Sequence, residues 1–137
     1  MKLKNERGQS LVELAISLLI LLYLLSGAVE FGIIFFQYVQ LRDAAQEGAL
    51  YGSMNPTDTA GIIARVEASS TSPIDLTDPG VVITPTIIGS ACEGNGIQVT
   101  VAYDHTVFMP FMSRFIGPTI DLDATVTDTI LSPVCGP

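Results

Sequence analysis

Histidine is almost missing from this chain of 137 residues: His105 stands alone, and cysteine occurs twice, as Cys92 and Cys135. A metal centre needs more ligands than that set supplies. The chain also lacks a glycine-rich phosphate loop, and no serine or cysteine has an evident base partner. These gaps leave no recognisable active site, so neither an enzymatic role nor a cofactor is expected. Asp121, Asp123 and Asp128 suggest calcium by composition alone. Acids spaced by two along a strand are more simply a solvated face.

Positive charge is scarce as well, and it is unevenly placed. Lys2, Lys4 and Arg7 face only Glu6 within residues 1–8, a local charge of +2. Beyond Arg42 only Arg65 and Arg114 stand against eleven acids, a local charge of −9. The acidic part has no basic patch to engage phosphates, which excludes nucleic acid as a partner. Positive charge ahead of an apolar segment keeps an N-terminus cytoplasmic and sends the remainder across a membrane. In an oxidising compartment an even pair of cysteines is most simply a disulfide, here Cys92 to Cys135, with two free thiols as the alternative.

The apolar segment is Gly8 to Leu41, and it dominates a mean hydropathy of +0.48. As a helix it would be about 50 Å long, more than the ~20 residues a bilayer needs. Two acids, Glu13 and Glu30, interrupt it. Ser26-Gly27-Ala28 imitates a secretory cleavage site, but apolar character resumes from Phe31 to Phe36. Cutting there would leave an exposed greasy end. From Arg42 the pattern turns amphipathic, and Asn55-Pro56 stops it. One helix from about 9 to 53 is therefore expected.

The remainder reads as one small extracytoplasmic unit, 54–137. A short helix is expected over 57–69, capped by Asp58 or Thr57, with Ile62, Ile63 and Val66 at helical spacing. Three strands follow. Val81 to Ile88 is β-branched with Pro85 inside it, which marks an edge or a bulge. Ile97, Val99, Val101 and Tyr103 alternate with polar residues, as do Ile120, Leu122, Ala124 and Val126. The expected fold is α+β: a long helix carrying a short helix and a three-stranded antiparallel sheet. Between the last two strands runs an apolar loop with Phe108, Met109, Phe111, Met112, Phe115 and Ile116. It is either a contact surface for membrane or another subunit, or a loop tucked into its own core.

A basic leader ending in Gly8, then Gln9, with Glu13 four residues on, is similar to the class III signal of type IV pilin-like proteins. More specifically, RGQSLVELAISLLILLYLLSGAVEFG followed by RDAAQEGALYG resembles the TadE-like family over residues 7–52. Its members are pseudopilins or minor pilins of the tight-adherence (Tad) secretion and pilus system. Leu14 stands where the small major pilins of that system have tyrosine, and the 54–137 region is larger than theirs.

The resemblance implies a leader, 1–8, cut after Gly8 by a prepilin peptidase, which frees the amine of Gln9. It implies a filament subunit for adhesion or secretion, made in the cytoplasmic membrane and assembled with itself and other pilins. A platform membrane protein and a secretion ATPase would drive assembly. In such filaments the acid at Glu13 pairs with a neighbour's free amine and sets register; the alternative puts Glu13 near the headgroups. For Glu30 three environments are open: protonated in lipid, paired across to an adjacent helix as a second register contact, or at the outer headgroups. The rival function is an unpolymerised single-span protein displaying a small binding domain.

Overall fold

The computed structural model describes residues 6–109, 112–132 and 135. Helix α1 runs Glu6–Met54 and α2 runs Thr59–Ser69. Strands β1, Val81–Ile88, and β2, Gly96–Thr106, come next, then a single helical turn, α3, Ser113–Ile116, and β3, Thr119–Thr129. This is the expected α+β architecture. The long helix starts at Glu6 rather than about residue 9, and no proline occurs after Glu6 before Pro56 to interrupt it. Residues 1–5 of the expected leader lie outside the described residues.

Asn55 still donates its amide to the Tyr51 carbonyl, and Pro56 then ends α1. Asp58 caps α2, accepting the Gly61 amide at 3.0 Å and the Tyr51 hydroxyl at 2.8 Å. Of the two caps expected, Asp58 takes the role and the helix starts two residues later than expected.

The sheet is an antiparallel meander in the order β1-β2-β3. Pro85 pairs with Val99 in the edge strand, where a missing N–H does not cost a central ladder bond. On the inward face Val101 lies between Ile83 and Ala124, and Val99 between Pro85 and Val126. That face packs on the outer half of α1, together with α2. Leu41, Ala44, Ala45 and Ala49 meet Ile62, Val66, Ile97, Val99 and Val101 in one buried cluster. Each fully buried branched side chain there contributes about 1.5–3 kcal/mol.

Two glycines allow this approach. A methyl group added at Gly48 would lie 2.5 Å from Val66 Cγ2, and one at Gly52 would lie 2.9 Å from Ile97 Cγ1. Gln40 fixes the loop after α2: its Nε2 donates to Ser70 Oγ at 2.7 Å and to the Ile74 carbonyl at 2.8 Å. A disulfide joins Cys92 to Cys135 across 43 residues, with a Cα–Cα separation of 5.4 Å. It ties the chain after β3 back to the β1–β2 loop. Next to it, Ile130 donates to the Asn95 carbonyl and Gly94 donates to the Ile130 carbonyl.

Candidate functional site

The helix divides at Glu30. From Gly8 to Val29 every residue is exposed except Ser26 and Gly27, which are half-buried. By length and composition α1 is able to cross a membrane, and its apolar window is almost wholly uncovered by the rest of the chain. Within this stretch Glu13 is exposed and has no hydrogen-bond or ion-pair partner among the described residues. Glu13 shares one shallow surface hollow with Gly8, Gln9 and Val12. The expected cleavage pair and the expected register acid are thus neighbours, one helical turn apart.

Glu30 is in the opposite situation. Only 1% of its surface is exposed, and three donors converge on its carboxylate. His105 Nε2 and the Phe108 amide reach Oε1 at 2.8 and 3.0 Å, and the Met109 amide reaches Oε2 at 3.0 Å. Such a cluster suits an acceptor-only carboxylate, and it offsets the high cost of burying one. The carboxylate meets neither lipid nor an adjacent helix, because its partners lie in the same chain. Both oxygens are engaged within the subunit, whereas Glu13 has no partner among the described residues.

The strand pattern explains how His105 arrives there. Positions 97, 99 and 101 of β2 face the core, and the same alternation carried two steps further puts His105 inward, 4% exposed. Beyond Thr106 the ladder ends, and the amides of Phe108 and Met109 turn to Glu30 instead of to a strand. Val107 keeps the loop closed by donating to the Pro118 carbonyl at 3.0 Å.

From this clamp the loop runs back along α1 toward its N-terminus. Met112 lies over Gly27, its Cε 3.6 Å from where a side-chain carbon would start. The ring of Phe115 meets Tyr23 edge-on, centroids 5.5 Å apart. Gly117, at φ +93°, reverses the chain into β3 in a conformation that favours glycine. Of the expected contact residues, Phe108 and Phe115 are 76% and 73% exposed and Ile116 is also exposed. Met109 and Met112 are half-buried, and Phe111 lies outside the described residues. The loop is anchored by its buried Val107 and by Met112, and it presents its rings outward.

Asp121 and Asp123 point outward from β3. Among the described residues no three His, Cys, Asp or Glu side chains gather as a metal ion would need.

A family model described as TadE-like protein matches residues 8–50. Over that stretch the chain is similar to the TadE-like family. The matched TadE-like segment is most of α1, including both acids, and it stops short of α2 and the sheet. The family is Tad pilus-related, and a helix able to span a membrane fits it. No curated protein and no solved structure matches the chain.

Proposed function

We propose that the chain is a structural, non-enzymatic subunit of a Tad-type filament, held first in the cytoplasmic membrane and then assembled through the same helix. The observation that carries this reading is the unroofed half of α1, with one acid, Glu13, that has no partner among the described residues and lies a turn beyond Gly8-Gln9. An ionisable group among lipid tails costs at least about 2.5 kcal/mol at a helix centre, so it calls for a partner outside the chain. After cleavage behind Gly8, the freed amine of a neighbour's Gln9 supplies one. Register follows, because the acid is satisfied only when the neighbour arrives at the matching height.

On this reading the N-terminus is cytoplasmic, and the acidic, disulfide-tied head is extracytoplasmic. A prepilin peptidase, a platform membrane protein and a secretion ATPase act on the chain, and adhesion or secretion is the filament's use. The test is intact mass and N-terminal sequencing of material sheared from cells. A sheared species beginning at Gln9 is expected. A full-length species that stays in the membrane would instead support a single-span display protein that does not polymerise.

A further inference from the structure

We propose that residues 112–116, after the end of β2, form a second membrane contact, with Phe115 and Ile116 seated among the acyl chains of the outer leaflet while the subunit awaits assembly. The proposal rests on the membrane reading above and adds where the head sits relative to the bilayer. Its basis is a height comparison along one rigid helix. At 1.5 Å per residue, a hydrocarbon layer of ~30 Å that begins near Gly8 ends near residue 28. Tyr23 lies about 8 Å below that boundary by the same rise. The loop packs on Tyr23 and Gly27 through Phe115 and Met112, so it occupies the same height as the end of the span.

Four features agree with lipid as the occupant. No charged side chain occurs in α1 between Glu13 and Glu30, so nothing on the helix keeps that height in water. The side chains of Phe108 and Phe115 are exposed, as are those of Leu24, Phe31 and Phe35 on α1. Arg114, one of two cations beyond Arg42, is exposed beside Phe115, and its long stem lets the charge reach phosphates while the rings stay in the acyl region. Finally, the Glu30 clamp holds the loop's start against the helix, so the depth is fixed by three hydrogen bonds rather than by a free hinge. A depth of about 5–10 Å is the usual one for apolar faces lying in an interface.

The chain contains no tryptophan, so single-tryptophan reporters are clean. Four full-length variants would be reconstituted in phosphatidylcholine/phosphatidylglycerol vesicles, with bromine placed either high on the acyl chain or near its methyl end. Leu18→Trp reports the span, Phe115→Trp and Phe108→Trp the loop, and Val82→Trp the outer face of β1. All four positions are more than half exposed, so the substitutions leave the core intact. With the high bromines, Phe115→Trp is expected to lose most of its emission, Phe108→Trp less, and Val82→Trp none. Leu18→Trp should lose the most with the deep bromines. Quenching of Leu18→Trp, with both loop variants as bright as Val82→Trp, would overturn the loop proposal and leave the span intact. An unquenched Leu18→Trp would overturn the membrane reading and the loop proposal together. If emission from Phe115→Trp escapes the bromines yet shifts with protein-to-lipid ratio, a second copy covers the loop and the lipid proposal fails.

Discussion

From Gly8 to Val29 the long helix shows its side chains to the surroundings on nearly every side. From Glu30 to Met54 one face of the same helix is roofed by α2 and the sheet. Each half holds an acid in an apolar setting, and the two acids are served differently. Glu30 receives three hydrogen bonds from its own head, and Glu13 receives none among the described residues. A buried or lipid-facing carboxylate needs a partner. In the roofed half the fold supplies it; in the bare half none of the described residues does. The comparison separates residues that hold the subunit together from residues available to hold subunits to each other.

The largest effect is expected at the clamp. Glu30→Ala strands His105 and two backbone amides, and breaking a buried pair of this kind costs about 3–5 kcal/mol. Thermal unfolding of the purified full chain in detergent, followed by near-ultraviolet circular dichroism, should show a head that melts far earlier than wild type. Glu30→Gln keeps the volume and one acceptor oxygen, and should lose about 1–3 kcal/mol. Wild-type melting in Glu30→Ala would mean that the clamp does not hold the head.

A smaller contrast tests the two faces of α1 within its roofed half. Gly48→Ala forces a methyl group against Val66 and Val99, and overpacking of this kind costs about 1–3 kcal/mol. Gly32 has open space where a side chain would begin, so Gly32→Ala should be neutral or stabilise the helix by up to about 1 kcal/mol. Equal effects from the two substitutions, read as chemical-denaturation midpoints, would contradict the division of the outer half of α1 into a roofed face holding Gly48 and an open face holding Gly32.

The smallest effect concerns acid. The Tyr51 hydroxyl, and after it the Gly61 amide, hold the Asp58 carboxyl below its ordinary value of 3.8. A depressed carboxyl contributes its stability in full above that ordinary value and loses it as pH falls through the lower folded value. Asp58→Asn keeps a competent cap but does not titrate. The gap in melting temperature between wild type and Asp58→Asn should therefore be flat above pH 3.8 and close as the pH drops below it. A gap that widens in acid would show that the cap acts through something other than its charge.

Much of the fold was legible because period carries it. Alternation at 97–103 and 120–126 marks two strands, Pro85 marks an edge, and Asn55-Pro56 marks the end of α1. Less visible was what depends on distant partners. Glu30 meets a histidine 75 residues away and two backbone amides that no side-chain pattern announces. Extending the β2 alternation to His105 would have shown that it faces inward. Gly48 and Gly52 look in the sequence like weak points of a helix, and in three dimensions they are where α2 and β2 come close. The turn α3 is too short to leave a periodic signal. Glu13 was legible as an anomaly from the start, since a lone acid in an apolar run needs no distant information to stand out.

The most direct measurement is the filament yield of Glu13→Ala, normalised to folded protein in the membrane and set beside the melting temperature of its head. Glu13→Ala is expected to reach the membrane and melt within about 0.5 kcal/mol of wild type, as exposed substitutions do, while releasing no filaments on shearing. Filaments at wild-type yield from Glu13→Ala would contradict the assignment of Glu13 to contacts between subunits.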